Sequence, residues 1–260
     1  MIFKSQQEAI AQLETLSKVR RQSVLIEGPT GCGKSYLARQ YANMLGVNDF
    51  VQIEPKVSDI REAMDSILNI ENDIVICIEN LDKGVLSASY TMLKTLEEPL
   101  PNLYIVITCT NRESIPDTII SRSAVVTAGP PTSDDIELYA ASKDNGRLLQ
   151  VKNTLVWSCV RSFKSADSVL GMNANQLAFY NDLKELCKFR DSVSNIVWKI
   201  SHYDSNTSSD IELVIQCIMK ICNSSFISRS GVNCLQELHK GRVAEHAVLS
   251  KFIFDAKYCE

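Results

Sequence analysis

Histidine is scarce in these 260 residues, with three in all, and no two of the nine cysteines form a C-x-x-C pair. These absences exclude the usual zinc-binding patterns. The cysteine count is odd, and most of the nine, Cys77, Cys109, Cys159 and Cys217 among them, lie in apolar stretches. Cysteine in such a setting behaves as a small core hydrophobe. No secretory leader is visible, so a reducing cytosol is the expected compartment. Apolar runs long enough to cross a bilayer are also missing, and no membrane partner is expected. Positive charge is not in excess: 27 basic residues against 31 acidic ones give a net charge of −4 and a pI of about 5.5. That balance excludes a broadly basic nucleic-acid surface and leaves room only for a local one. No internal repeat or low-complexity segment is present, and the length allows one to three domains.

What the chain does have is Gly28-Pro29-Thr30-Gly31-Cys32-Gly33-Lys34-Ser35. Ser23 to Glu27 before it reads as a short buried strand. Tyr36 to Leu45 after it has apolar residues at helical spacing, and Gly46 ends that helix. Strand, G-x-x-x-x-G-K-[ST], helix is the pattern of a phosphate-binding loop. Its glycines let successive backbone N–H groups curl around an anion, and the positive end of the following helix faces it. Pro29, Thr30, Gly31, Cys32, Gly33, Lys34, Ser35 and Tyr36 are therefore the candidate cradle for the phosphates of ATP. Lys34 would reach the β- and γ-phosphates, and the Ser35 hydroxyl would bind Mg²⁺.

The rest of the first half alternates strands and helices. Residues 1–20 read as a helix, 51–53 as a brief strand and 59–70 as a helix with Ser58 as its cap. Ile74 to Ile78 is a continuous apolar run, as expected of a strand buried on both faces. A helix over 86–96 stops before Pro99, and Leu103 to Ile107 is a second buried strand. A short helix over 115–121 precedes an edge strand at 124–126. Such alternation predicts an α/β fold with a parallel sheet and helices on both faces. Beyond Gly129-Pro130-Pro131 no strand is evident. Helices are expected from Thr132 or Ser133 to about Ser142, then at 151–163, 165–171, 174–189, 191–203, 209–222 and 232–258. The last is expected to break near Gly241. Trp157 and Trp198 read as core or interface anchors.

The first half also carries a constellation. The strand at 74–78 ends in Glu79-Asn80-Leu81-Asp82, and acidic residues at such a strand end belong beside the metal of a phosphate loop. Leu93-Lys94-Thr95-Leu96-Glu97-Glu98-Pro99 follows, then Thr108-Cys109-Thr110-Asn111, then Thr118-Ile119-Ile120-Ser121-Arg122-Ser123. With these motifs the chain resembles the AAA+ clamp-loader subunits of DNA replication: the bacterial DNA polymerase III gamma/tau and delta-prime subunits, replication factor C subunits and phage counterparts. The resemblance covers about residues 22–131 in motif order, and the remainder only in helical pattern.

That resemblance implies an α/β P-loop AAA+ core over 1–130, an all-helical lid over 131–181 and an all-helical collar over 182–260. It implies ATP and Mg²⁺ as cofactors, with Ser35 and, through a water, Glu79 serving the metal. It implies a pentameric assembly with other loader subunits, a sliding clamp, primer–template DNA and, indirectly, a DNA polymerase, in the cytoplasm (the host's, if a phage encodes the chain). Arg122 resembles the arginine finger that reaches the ATP of a neighbouring subunit, worth about 10³–10⁵ in rate where it acts. On residue type alone it reads rather as a charge on a helix C-terminus. Thr110 falls at the sensor position, where a strand-end Thr is otherwise structural. Lys164, in Arg161-Ser162-Phe163-Lys164-Ser165-Ala166, falls where the family's lid has an arginine, and it also reads as an ordinary exposed residue. Lysine there keeps the charge and loses the fork geometry.

The chain departs from the family at Glu79-Asn80, where Asp-Glu is usual. Glu79 can still serve the metal, but Asn80 cannot accept a proton, which predicts weak hydrolysis unless Asp82 or a neighbour supplies the group. Three functions are compatible with these residues. The first is a clamp-loader ATPase subunit in which ATP opens the clamp and hydrolysis releases clamp and DNA. The second is a hydrolysis-deficient scaffold that binds ATP and donates Arg122. The third is a helicase-loading or initiator ATPase, against which the Leu93–Pro99 run speaks.

Overall fold

A computed structural model of the chain describes residues 3–67, 72–143, 146–186, 208–222, 225–240 and 245–258. The chain divides into two compact units, Met1–Asp135 and Ile136–Glu260.

The first unit is a five-stranded parallel sheet between helices. Helix α1 (Gln7–Lys18) leads to β1 (Ser23–Glu27), α2 (Lys34–Leu45), β2 (Asp49–Ile53), α3 (Val57–Ile67) and β3 (Ile74–Ile78). Two short helices, α4 (Leu86–Thr91) and α5 (Leu93–Glu97), precede β4 (Leu103–Cys109), α6 (Asp117–Ile120) and β5 (Ala124–Thr127). The strand order is β2-β3-β4-β1-β5. All pairs are parallel, with Val24 beside both Ala124 and Val106, and Ile76 beside both Val51 and Ile105. The central strands are buried on both faces because their residues alternate between two cores. Val24, Ile26, Val75, Cys77, Tyr104 and Val106 meet α1 and α2 on one face. Leu25, Ile76, Ile78, Ile105 and Ile107 meet α3 to α6 on the other. The end strands behave as edges: β2 is half exposed throughout, and β5 has a single wholly buried residue.

The α/β expectation for this half is met, with shifted bounds. β4 runs two residues past the expected end. The helix expected over 86–96 is two helices, because Met92, wholly buried, leaves the ladder at φ −91° and ψ −8°. The expected end of α3 at Ile70 lies outside the described residues.

The division between the units falls inside α7 (Ser133–Lys143). Its start is held by Asp135, whose carboxylate accepts the backbone N–H of Lys4 at 2.8 Å, of Ser5 at 3.1 Å and of Thr132 at 3.1 Å. The Thr132 hydroxyl donates to it as well, at 2.8 Å. Burial raises the pKa of this carboxyl, and the donors outweigh that effect and hold it at about 2.

The second unit is helical, with no strand among the described residues. It contains α8 (Arg147–Val151), α9 (Phe163–Leu170), α10 (Ala174–Leu186), α11 (Ser208–Cys222), α12 (Ser225–Lys240) and α13 (Glu245–Tyr258) around a single apolar core that includes Trp157, Phe179, Ile215 and Phe252. The helix expected over 151–163 does not form; α8 ends at Val151 and only a 3-10 turn, Trp157–Cys159, follows. Hydroxyls intervene there. Thr154 donates to the Val151 carbonyl at 2.6 Å and Ser158 to that of Leu155 at 2.6 Å, competing with the helix ladder. A capping box between Ser162 and Ser165 then starts α9, two residues earlier than expected. The long C-terminal helix is two, α12 and α13. The expected break at Gly241, the helix over 191–203 and Trp198 lie outside the described residues.

Candidate functional site

The site is built on the ends of three strands. β1 is wholly buried except at Glu27, so its C-terminal end is fixed, and the loop from Gly28 leaves it for α2. Gly28 has no room for a side chain: a Cβ would stand 2.5 Å from the Ala128 carbonyl oxygen and 2.9 Å from the Cys32 Sγ. Gly31 and Gly33 adopt φ of +74° and +95°, a conformation that strains any residue with a Cβ. The loop is braced from beneath by Gln6, wholly buried, whose side-chain amide donates to the Cys32 carbonyl at 2.8 Å. Burial also pushes the Cys32 thiol pKa up, so this sulfur packs as a neutral apolar group.

Lys34 is 7 % exposed. Its ammonium donates to the carbonyls of Gly28 at 2.8 Å and Pro29 at 3.0 Å, inside the curl of the loop. Burial lowers its pKa, and Cys32 and Asp82 partly offset the effect. Among the described residues this ammonium donates only to carbonyls, a setting that favours an anion beside it. Next to it the Ser35 hydroxyl donates to Glu79 Oε1. These two oxygens, a hydroxyl and a carboxylate, are the hard donors that Mg²⁺ takes.

Glu79 and Asn80 follow β3, and Asn80 turns the chain in the left-handed region at φ +47°. Its backbone N–H donates to the Thr108 hydroxyl at 2.9 Å. Asp82 ties the same turn to the end of β4: one carboxylate oxygen accepts the N–H of Thr110 at 3.0 Å and of Asn111 at 3.2 Å. Among the described residues the other carboxylate oxygen and the Thr110 hydroxyl, both buried, have no hydrogen-bond partner. Buried polar atoms are normally satisfied, so these two mark a place for a further polar group.

The cradle residues, Glu79, Asn80 and Thr110 thus gather at the C-terminal edge of the sheet. Arg122 does not join them. It precedes β5 and so stands at the opposite edge, where its guanidinium donates to the Thr118 carbonyl at 2.9 Å and pairs with Glu97 at 2.8 Å. Five residues of β1 separate the two edges, about 15 Å at ~3.3 Å per residue. Lys164 lies in the first turn of α9, in the second unit. Sequence reasoning missed Gln6 and Thr108. Thr108 had a visible signal, a lone polar residue closing an apolar run; Gln6 had none, since only the fold brings it beneath the loop.

Comparison with known proteins gives a partial family match and similar folds. Residues 49–131 match the family described as DNA polymerase III, delta subunit. No curated protein sequence matches the chain. Among solved structures, a DNA polymerase III gamma subunit-related protein from Thermotoga maritima superposes with a TM-score of 0.56 at 18 % identity, over 95 % of this chain and 98 % of that one. The RuvB Holliday junction branch migration motor of the same organism superposes with a TM-score of 0.50 at 15 % identity, over 89 % of this chain and 80 % of that one. Residues 49–131 therefore carry the pattern of the DNA polymerase III delta-subunit family, within a fold like that of a DNA polymerase III gamma subunit-related protein.

Proposed function

We propose that this chain is an ATP-binding subunit of an assembly that loads a sliding clamp onto primer–template DNA. The observation that carries the reading is the opposed position of the phosphate loop and Arg122 on the two edges of one sheet. An arginine about 15 Å from its own loop serves a nucleotide only on another chain. A parallel sheet of this kind therefore suits a ring or spiral in which each loop faces the next subunit's arginine. The family match over 49–131 supports the clamp-loader class among such assemblies.

The site fits the implied cofactors. Gly31, Gly33 and the buried Lys34 make a cationic cradle for a triphosphate, and Ser35 with Glu79 would hold Mg²⁺. Bound Mg·ATP supplies the γ-phosphoryl group and the metal charge that such transfer needs. Thr110, with its unpartnered hydroxyl at the end of β4, would hydrogen-bond a phosphate oxygen or a water. In the same proposal 1–130 is the nucleotide-binding domain, 131–181 a lid carrying Lys164, and 182–260 a collar; the compartment is the cytoplasm. No helix among the described residues is long and apolar enough to cross a membrane.

A second reading, nucleotide binding without turnover, is favoured by Asn80. One set of measurements tests both: steady-state ATP hydrolysis by the assembled complex, with and without clamp and primed DNA, for the wild type and for Lys34→Ala, Asn80→Glu and Arg122→Ala in this chain. Turnover that clamp and DNA stimulate and that Lys34→Ala removes marks a working motor. Turnover at this chain's site that appears only with Asn80→Glu marks a scaffold. No stimulation by clamp or DNA in any variant overturns the clamp-loader reading.

A further inference from the structure

We propose that Cys159 and Cys217 are a redox pair: hydrogen peroxide joins them in a disulfide that staples the turn before α9 to α11. The inference concerns the second unit alone and goes beyond the nucleotide reading.

The two residues lie 58 positions apart, and the fold sets their sulfurs 3.5 Å from each other. Cys159 closes the 3-10 turn Trp157–Cys159, and Cys217 stands inside α11. Both belong to the apolar core of the second unit, at 3 % and 0 % exposure. A disulfide holds its sulfurs about 2.0 Å apart, so roughly 1.5 Å of closure remains. The 3-10 turn yields that distance more readily than α11, because its hydrogen-bond geometry is poorer than that of an α-helix.

The surroundings favour reaction at Cys159. The Cys217 thiol donates to its sulfur, and the Ser158 hydroxyl stands 3.9 Å from it. Two exposed cations converge on the carbonyl next to it. Arg161 donates to the Ser158 carbonyl at 3.0 Å, and Lys220, one turn beyond Cys217, donates to it at 3.2 Å. The Cys217 thiol above all, then Ser158 and the two cations, bring the Cys159 thiol pKa down although burial opposes them. At Cys32, Cys77, Cys109 and Cys234 burial prevails and pushes the thiol pKa up, so these sulfurs stay protonated and slow to react.

The Cys159 thiolate attacks one peroxide oxygen. The O–O bond breaks, and the departing hydroxide takes up the proton that Cys159 had released, giving water. Cys217, as thiolate, then attacks the sulfenic sulfur of Cys159. The S–O bond breaks, and the hydroxide leaves with the Cys217 proton as a second water. The two thiols together lose two electrons, and the peroxide gains them.

The full-length chain, reduced and then treated with hydrogen peroxide, tests this by thiol titration in denaturant and by tryptic mapping without reductant. Trypsin cuts after Lys152, Arg161 and Lys220, so Cys159, Cys217 and Cys222 fall in separate peptides. Expected are two thiols fewer than the nine of the reduced chain, and one cross-linked pair of peptides carrying Cys159 and Cys217. Oxidation should raise the thermal midpoint of unfolding by about 5–10 °C, since a cross-link between such distant residues restricts the unfolded chain, and dithiothreitol should reverse the rise. In Cys217→Ser the sulfenic acid of Cys159 has no thiol to meet, so dimedone should trap it and the midpoint should not rise. Cys222→Ser should behave as the wild type. Nine thiols after treatment, or a bond that joins other cysteines or two chains, overturns the proposal. The wild-type peptide map decides the matter even where Cys217→Ser fails to fold.

Discussion

At the residue scale, the loop's chemistry depends on side chains that are missing as much as on those present. Gly28→Ala would drive a methyl group into the Ala128 carbonyl and the Cys32 sulfur, at 2.5 and 2.9 Å. Neither the backbone nor the packed sulfur can yield cheaply, so we expect a loss of about 1–3 kcal/mol in urea unfolding, with weaker nucleotide binding. Asn80 is a separate matter. Its N–H is held by Thr108 at φ +47°, a left-handed conformation that asparagine takes more readily than glutamate. Asn80→Glu is therefore expected to lower stability by about 1 kcal/mol, to leave ATP affinity within about twofold and to raise turnover, because a general base contributes about 10²–10⁴ where it acts. Stopped-flow binding beside steady-state hydrolysis separates the two effects; unchanged turnover would return attention to the buried, unpartnered oxygen of Asp82.

At the scale of elements, α7 begins on a carboxylate that gathers four donors, from Lys4, Ser5 and Thr132. Its folded pKa of about 2 lies below the ordinary 3.8. A depressed carboxyl contributes stability that is full above its unfolded pKa and is lost as the pH falls through the folded value. The window is thus about pH 4 to 2, and the size about 2 kcal/mol. Urea unfolding followed across that range should show the loss in the wild type, and Asp135→Asn should flatten this part of the pH profile while lowering stability at neutral pH. Elsewhere the hydroxyls of Thr154 and Ser158 show how little it takes to end a helix. Periodicity from 151 to 163 is helical, yet two hydroxyls bonded to nearby carbonyls leave only a 3-10 turn.

At the scale of the whole molecule, the parallel sheet gives the first unit two chemically different edges. Lys34 belongs to one and Arg122 to the other. Lys34→Ala should therefore abolish ATP binding by the isolated chain, whereas Arg122→Ala should leave that affinity within about twofold and lower only the turnover of the assembled complex, where an arginine acting in trans is worth about 10³–10⁵. Equilibrium titration of a fluorescent ATP analogue into each variant decides this. An affinity loss of similar size in both would mean that Arg122 acts within its own chain, against the sheet geometry.

The alternation of apolar runs with helical stretches was enough, by itself, to establish the parallel α/β sheet of the first half. The loop from Gly28 to Ser35 was equally legible, because anion binding by backbone demands glycine at set intervals and leaves a local record. Glu79, Asn80 and Arg122 stood out through neighbouring motifs, and the fold places the first two beside the loop and Arg122 at the other end of the strands. What depended on contacts between distant residues was not legible. Gln6 beneath Cys32, Thr108 under the Asn80 turn, and Arg21 beside Arg122 join segments about 20 to 100 residues apart, and neither periodicity nor composition encodes such meetings. Local chemistry determined what the loop can hold; only the tertiary fold decided that the loop and Arg122 stand on opposite edges of one sheet, because strand direction and order fix which ends come together.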